Sequence, residues 1–169
     1  MPLKKKKEEV KSESASTLKK EAAVPEFATL IKESIGQTQK MRLVRGLEEL
    51  EKTKSVTDLI TLLIRKAWES KASDIHIDPQ QLDVLVRFRI DGILHDVLSL
   101  KKELQPLLIT RIKVLSGLRT DEHFMAQDGR FRVVEGTTTI DLRVSIVPTH
   151  HEENVVMRLL VGEARALGL

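Results

Sequence analysis

The chain has 169 residues, a net charge of +3 and an apolar content of 41%, which is enough for one globular domain with extensions. It contains no cysteine, which excludes disulfides and cysteine-ligated metal sites and fits a reducing compartment. No apolar run approaches the roughly 18 residues of a membrane span, and no apolar segment follows the first lysines. The sequence therefore predicts neither a membrane helix nor a secretory signal.

The chain begins with a basic segment rich in Lys, Glu, Ser and Ala. Seven lysines and four glutamates in residues 1–24 account for the whole net charge, so the remainder is neutral. This composition predicts a disordered tail rather than a basic face for nucleic acid. The lysines are able to contact an anionic membrane surface, but a solvated tail is the simpler interpretation.

Two apolar stripes at helical spacing follow the tail, so residues 25–54 are predicted to form a helical lead-in or linker. A small α+β domain is predicted over residues 55–161. Its first helix spans residues 56–71, because Ser55 and Asp58 have the spacing of a helix N-cap and its third residue.

Period-two alternation of apolar and polar residues predicts the strands of this domain. The first strand lies in "ASDIHIDP" and stops at Pro79, and the next two form a hairpin about the turn Asp91-Gly92. A second helix is predicted over residues 101–116, with Pro106 marking a later start. Another strand begins at Arg130, and "IDLRVSIVPTHHEENVVMRLL" holds the last two. The predicted fold class is α+β, an antiparallel sheet of about six strands with two main helices on one side.

The last two strands each carry one arginine among aliphatic residues. A turn around residues 149–154 would place Arg143 opposite Leu160 and Arg158 opposite Ser145, so the arginines would be diagonal neighbours about 7–8 Å apart. Two guanidinium groups at this spacing suit a polyphosphate. The simpler alternative is that each arginine pairs with a carboxylate such as Asp141 or faces water.

Two other clusters favour structural roles. His150 and His151 precede two glutamates in a turn, but adjacent side chains diverge there, so no metal site is predicted. Asp74 and His76 share one face of a strand, yet no nucleophile accompanies them. A structural pair at the edge of the sheet is the favoured interpretation.

Six blocks, namely "ASDIHIDP", "VRFRIDGIL", "ITRIKVLSGL", "QDGRF", "DLRVSIVPT" and "ENVVMRLL", occur in the order found in secretion ATPases. The chain resembles the small N-terminal domain of type II secretion and type IV pilus assembly ATPases, the GspE/PulE/PilB group. The resemblance covers residues 56 to 169, and residues 162–169 then correspond to the start of a linker to an ATPase domain.

The resemblance implies a PAS-like fold and a role in a homo-hexameric motor. It implies that ATP and Mg²⁺ bind to a RecA-like domain, of the same or a neighbouring subunit, and that arginines of the small domain reach the phosphates. By the matching blocks these are Arg143 and Arg158, with Arg130 and Glu153 as possible supporting residues. The motor would be cytoplasmic, peripheral at the inner face of the cell membrane, and would work with an inner-membrane platform or docking protein.

Two departures from the family pattern stand out. The family's turn between the last strands usually has glycine and then glutamate, whereas this chain has Glu152 and Glu153. No glycine begins the pattern GxxxxGK[ST] of a P-loop, so these residues cannot hydrolyse ATP by the family mechanism. We therefore expect weak or absent ATP binding by the chain alone.

Two other functions compete with this interpretation. A nucleic-acid-binding module would use the arginine strands and the lysine tail, but aromatic residues for base stacking are scarce and the folded part is neutral, so no nucleic acid is expected. A purely structural interaction domain would dock a neighbouring subunit through the sheet and the helix at residues 101–116.

Overall fold

The computed structural model describes residues 24–38, 54–150 and 152–161. A six-stranded antiparallel sheet dominates it, with strand order β3-β2-β1-β6-β5-β4. The helices are α1 (Val24–Thr38), α2 (Val56–Glu69) and α3 (Gln105–Leu115), with a 3-10 turn at Lys102–Leu104. The strands are β1 (Asp74–Pro79), β2 (Asp83–Ile90), β3 (Ile93–Lys101), β4 (Gln127–Glu135), β5 (Thr138–Thr149) and β6 (Glu152–Val161).

The predicted α+β class and the six strands are confirmed. The helix predicted at residues 101–116 opens as a 3-10 turn and becomes α-helical at Gln105, next to Pro106, because a proline fits only the first turn of a helix. The strand expected from Arg130 begins three residues earlier, at Gln127. β1 is an inner strand, so the edge position expected for Asp74 and His76 was wrong.

Local sequence signals account for the start of α2 and the turn between β2 and β3. The Ser55 hydroxyl accepts a hydrogen bond from the Asp58 backbone N–H at 3.1 Å, which caps α2 as its spacing predicts. Asp91 and Gly92 have φ of 51° and 81°, and a type I′ turn requires positive φ at both positions. The hairpin therefore has the register expected of a two-residue turn, with Ile90 opposite Ile93.

The core lies on one face of the sheet, where α2 and α3 pack against it. Apolar side chains alternate inward along β5 and β6, and those of α2 and α3 are buried in the same cluster. Representative members with 0% exposure are Leu59, Leu63, Ile75, Phe88, Ile112 and Met157. The opposite face carries the polar residues of the same strands.

The first part of the predicted lead-in is helix α1, which packs along the edge strand β3. Phe27 and Ile31 are buried there, and the Ser34 hydroxyl accepts a hydrogen bond from the backbone N–H of Lys101 at 3.0 Å. The second apolar stripe of the lead-in, the predicted tail and the predicted linker lie outside the described residues. No helix in the described part of the chain is long and apolar enough to span a membrane.

Candidate functional site

A row of charged residues crosses the sheet perpendicular to the strands, on the face opposite α2 and α3. Residues that are paired directly from strand to strand in this way are said to lie at one level. We call this face the arginine face. Neighbouring strands β2, β1, β6, β5 and β4 each contribute one residue, paired in sequence across the sheet. The row consists of Arg89, Asp74, Arg158, Arg143 and Arg130.

The structure brings Arg143, Arg158 and Arg130 closer together than the sequence analysis expected. Arg143 is the direct partner of Arg158 on β6 and of Arg130 on β4. The predicted diagonal register was wrong by two residues, because the turn between β5 and β6 is centred one residue earlier than expected, with Thr149 opposite Glu152. A shift of two residues keeps every side chain on its face, so the shared face was predicted correctly.

One arginine of the row is anchored by a carboxylate on the central strand. Arg158 Nε donates a hydrogen bond to Asp74 Oδ1 at 2.9 Å. The Arg158 side chain is 65% exposed, whereas that of Asp74 is 5% exposed. The other Asp74 oxygen accepts a hydrogen bond from the Ser73 hydroxyl at 2.7 Å and lies 3.5 Å from Arg89 Nε.

These contacts set the charge of Asp74. Burial acts to raise the pKa of its carboxyl group, but the hydrogen bonds from Ser73 and Arg158 and the charge of Arg158 outweigh burial, so the pKa is lowered from its ordinary value. Asp74 is therefore ionised at neutral pH and offsets part of the positive charge of the row.

Two arginines of the row have no such anchor. Within residues 24–38, 54–150 and 152–161, neither Arg143 nor Arg130 has a carboxylate at ion-pair distance. The arginine of the next row, Arg132, has one: its Nε and Nη2 donate to Asp141 at 2.6 and 3.1 Å. The pairing with Asp141 considered for Arg143 is therefore made by Arg132 instead.

Like charges directly opposite each other on neighbouring strands destabilise a sheet. The adjacent arginines Arg158, Arg143 and Arg130 repel each other, and among the described residues a compensating carboxylate is bound to Arg158 alone. An anion bound over Arg143 would remove this repulsion. Conflicts of this kind with local stability are expected at functional sites.

Four of the five residues of the row line a hollow of about 340 Å³ on the arginine face. These four are Asp74, Arg158, Arg143 and Arg130, whereas Arg89 lies outside the hollow. The remaining lining residues are Asp128, Gly129, Val144, Ser145 and Val156. The hollow is open and polar and is large enough for a polyphosphate group.

The structure does not bring Glu153 to the arginines. Its side chain lies on the opposite, helix-covered face, where its Oε1 is 2.7 Å from Lys113 Nζ. Its Oε2 is 2.8 Å from Nδ1 of His123, which lies in the loop after α3. Both Glu153 and Lys113 are buried. Glu153 thus ties α3 and this loop to the start of β6.

Glu152, the residue before Glu153, occupies the position at which the family pattern usually has glycine. Its φ is +108°, a region that L-residues rarely adopt and that glycine enters without steric cost. The backbone geometry therefore accounts for glycine in the family pattern. Glu152 adopts this φ in spite of its Cβ atom, which strains the backbone.

His76 and Asp74 do not form a hydrogen-bonded pair. Asp74 is bound to Arg158 and Ser73, and Asp78 accepts a hydrogen bond from Arg87 Nε at 2.6 Å. Burial lowers the pKa of His76, and the attraction of Asp78 does not reverse this, so the imidazole is neutral at neutral pH. The structure thus gives no support to a catalytic Asp–His pair.

Comparison with known proteins places these features in a family. A family model described as type II/IV secretion system protein matches residues 49–169. The type II secretion system protein HxcR of Pseudomonas aeruginosa is 44% identical over 114 residues, which cover 68% of this chain and 24% of HxcR. The type II secretion system ATPase E of Vibrio cholerae is 40% identical over 123 residues, which cover 73% of this chain and 24% of that protein.

The likeness extends to pilus assembly. The type IV pilus assembly ATPase PilB of Myxococcus xanthus is 40% identical over 106 residues, which cover 62% of this chain and 19% of PilB. The chain thus spans about a quarter or less of the length of these relatives. Since the family match covers most of the 169 residues and includes the whole arginine row, the chain belongs to the type II/IV secretion system protein family.

Proposed function

We propose that residues 54–161 act as the small regulatory domain of a secretion or type IV pilus assembly ATPase, and that the arginine row contacts the phosphates of ATP bound on a RecA-like domain. The observation that carries the proposal is that Arg143 lies directly between Arg158 and Arg130, and that neither Arg143 nor Arg130 has a carboxylate partner in the described part of the chain. The ATPase names of the relatives from Vibrio cholerae and Myxococcus xanthus support it.

The chemistry of the row fits a polyphosphate. Arginine is always charged, and its planar guanidinium binds phosphate oxygens with two parallel hydrogen bonds. Neighbouring strands lie about 4.8 Å apart, so Arg158, Arg143 and Arg130 present guanidinium groups at short, regular intervals. Such a row can bind the successive phosphate groups of a triphosphate, and it therefore favours a triphosphate over a ligand with a single carboxylate.

The same contacts would couple nucleotide state to domain position. An arginine that reaches a phosphate across a domain boundary stabilises the charge of phosphoryl transfer and holds the two domains closed. Because the row lies on five neighbouring strands of one sheet, the domain would move as a rigid body when the γ-phosphate is lost. The small domain would thus sense ATP without hydrolysing it.

The partners follow from this role. ATP and Mg²⁺ would be held by the RecA-like domain, since these 169 residues contain no P-loop pattern, and the arginine row would approach only the phosphate oxygens. The complete motor would be a homo-hexamer that works in the cytoplasm at a platform or docking protein of the inner membrane.

A titration of the 15N-labelled chain with sodium tripolyphosphate at low salt, followed through the arginine Nε–H signals, tests the phosphate site. We expect weak, saturable binding with a dissociation constant on the order of 1 mM. Arg143→Ala or Arg158→Ala should weaken it about tenfold or more, since a charge-assisted hydrogen bond contributes about 1.5–3 kcal/mol.

Arg132→Ala is the matched control, because Arg132 is an exposed arginine on the same face whose guanidinium is bound by Asp141. We expect less than about a twofold change for this variant, since Arg132 lies outside the row and its guanidinium is already occupied by Asp141. Equal effects of Arg132→Ala and Arg143→Ala would show that binding follows net charge alone, and the proposed site would be wrong.

The coupling to hydrolysis needs an ATPase domain. Residues 54–161 can replace the matching region of the Vibrio cholerae ATPase E, with which this chain shares 40% identity. In this chimera Arg143→Ala and Arg158→Ala should lower kcat for ATP hydrolysis about tenfold or more, whereas Arg132→Ala should not. An active chimera whose rate is unchanged by both substitutions would contradict the proposal.

A further inference from the structure

We propose that Asp74 is a positioning residue for the phosphate site: it holds Arg158 by the inner nitrogen of the guanidinium and so presents the outer nitrogens to the ligand. This inference rests on the proposed function, because it assigns a role to a residue next to the proposed phosphate contacts. By its charge alone, the Asp74 carboxylate would be expected to weaken the binding of an anion.

The geometry of the contact leaves the binding edge of Arg158 free. Asp74 Oδ1 accepts from Nε at 2.9 Å, and no other described residue binds the Nη1 or Nη2 atoms of Arg158. The carboxylate side chain is 5% exposed and the arginine side chain 65% exposed. The contact therefore lies beneath the guanidinium, while the Nη1–Nη2 edge faces outward and is able to bind phosphate oxygens bidentately.

Asp74 is itself held in place from both sides. The Ser73 backbone N–H donates to the Arg89 carbonyl at 2.8 Å, and the Ser73 carbonyl accepts from the Leu159 N–H at 2.9 Å. β1 is thus locked between β2 and β6 at the residue before Asp74. The Ser73 hydroxyl also donates to Asp74 Oδ2 at 2.7 Å, so the carboxylate has a fixed orientation.

An anchored arginine binds with less loss of conformational freedom than a mobile one. Arg158 is anchored, whereas Arg143 has no carboxylate partner among the described residues. The site therefore combines one preorganised guanidinium with one that adjusts to the ligand. Without Asp74, Arg158 would also move away from Arg143, because the two like charges face each other.

The opposite role for Asp74, a competitor that occupies Arg158 until phosphate displaces it, predicts the opposite sign. Removing a competing negative charge strengthens anion binding, whereas removing a positioning group weakens it. The sign of the change in affinity therefore decides between the two roles. Net electrostatics alone also predicts stronger binding when a carboxylate is removed.

The test is the tripolyphosphate titration of the 15N-labelled 169-residue chain, applied to Asp74→Ala and to Asp141→Ala. Asp141 is the matched control, since it binds an arginine on the same face one level away. We expect Asp74→Ala to raise the dissociation constant about three- to tenfold. Asp141→Ala should leave it unchanged or lower it slightly, because it removes a negative charge outside the row.

A second measurement separates positioning from a general loss of structure. In the ligand-free chain, hydrogen exchange of the Arg158 Nε–H group should be slow, and Asp74→Ala should accelerate it selectively, while Arg132 Nε–H keeps its protection. If Asp74→Ala fails to fold, Asp74→Asn is decisive: its neutral amide should still raise the dissociation constant and weaken the Arg158 Nε–H protection.

An unchanged or lowered dissociation constant in the Asp74 variants would overturn the positioning role, and so would unchanged exchange of Arg158 Nε–H. If Arg143→Ala and Arg158→Ala weaken binding while the Asp74 variants do not, the proposed phosphate site stands and only the role of Asp74 is wrong. If none of these substitutions alters binding more than Arg132→Ala does, the proposed function fails as well.

Discussion

Arg143 on β5 and Arg158 on β6 face each other directly across the sheet, and only Arg158 is bound to a carboxylate. Two arginines in this position repel each other, so the pairing costs stability unless an anion lies over it. The folded chain is thus locally destabilised by charge repulsion at the place where we propose that phosphate binds.

Replacing Arg143 with threonine should therefore stabilise the isolated chain. We expect a gain of about 0.2–1 kcal/mol in the free energy of unfolding at low salt, and a smaller gain at high salt, where the repulsion is screened. Urea unfolding at two salt concentrations measures both. Arg132→Thr is the control: it should not stabilise the chain, because it removes the ion pair between Arg132 and Asp141. Equal gains in both variants would mean that repulsion within the row is not the cause.

The buried ion pair Lys113–Glu153 should be strongly coupled. Lys113 has 0% side-chain exposure, and its ammonium lies 2.7 Å from Glu153 Oε1 and 2.5 Å from the Glu122 carbonyl oxygen. Lys113→Met should destabilise by about 3–5 kcal/mol, because it leaves a buried carboxylate without its cation.

The double variant Lys113→Met/Glu153→Gln should recover part of that loss, since no unpaired charge then remains. Urea unfolding of the two single variants, the double variant and the unsubstituted chain gives the coupling free energy. Additive losses in the double variant would contradict a direct pairing of the two side chains.

Glu152→Gly should stabilise the turn between β5 and β6. The φ of +108° at Glu152 strains any residue with a Cβ atom, and glycine removes that strain, so we expect a gain of about 0.5–1 kcal/mol after its greater chain entropy is counted. Glu152→Ala is the control, since it also removes the 3.8 Å contact with Lys102 but keeps the Cβ atom. A thermal midpoint for the glycine variant no higher than that of the alanine variant would refute the assignment of strain.

Gly129→Ala should destabilise the contact between β4 and the end of α3. A Cβ atom at Gly129 would lie 2.7 Å from the carbonyl oxygen of Ser116 and 3.0 Å from Leu118 Cδ2, so the backbone must shift. We expect a loss of about 1–3 kcal/mol, as for other overpacked positions. Gly136→Asn serves as control, because Gly136 has φ +60°, which asparagine tolerates, and no atom within 4 Å of the added Cβ. A Gly129→Ala variant whose thermal midpoint is nearly unchanged would show that Gly129 and Ser116 are less closely packed than described.

The lowered pKa of Asp74 predicts a specific pH dependence. A carboxyl group whose pKa is lower in the folded chain contributes stability that is fully present above its unfolded pKa, near 3.8, and that is lost as pH falls through its folded pKa. The difference in unfolding free energy between the unsubstituted chain and Asp74→Asn should be constant from about pH 7 to about pH 5 and shrink below the unfolded value.

Asp141→Asn is the comparison for this pH series. The hydrogen bond from Arg132 also lowers the pKa of Asp141, so the sign is the same, but Asp141 is more exposed and its effect should be smaller. An Asp74→Asn difference that persists undiminished at the lowest pH would show that the charge of the carboxylate does not stabilise the fold.

Sequence reasoning located the arginines on the correct face but not their contacts. Period-two alternation in β5 and β6 assigns each residue to a face whatever the register, so Arg143 and Arg158 were correctly expected on the same side. Their direct pairing depends on where the turn is centred, and the sequence "HHEEN" allows more than one position. The structure, with Thr149 opposite Glu152, decides it.

The contact between Asp74 and Arg158 was missed for a different reason. The two residues are 84 positions apart, and no local pattern reports which strand lies beside β6. The family blocks "ASDIHIDP" and "VVMRLL" contain both residues, and their joint occurrence was the only available signal.

The sequence by itself determined the elements and the polarity of their faces: the Ser55 cap of α2, the Asp91-Gly92 turn, and the alternation that separates core from arginine face all act within a few residues. Only the tertiary structure decided which charges meet: Arg158 contacts Asp74, Arg132 contacts Asp141, and Lys113 contacts Glu153. Helix caps and turns are local equilibria, whereas strand order and register are set by the packing of the whole sheet.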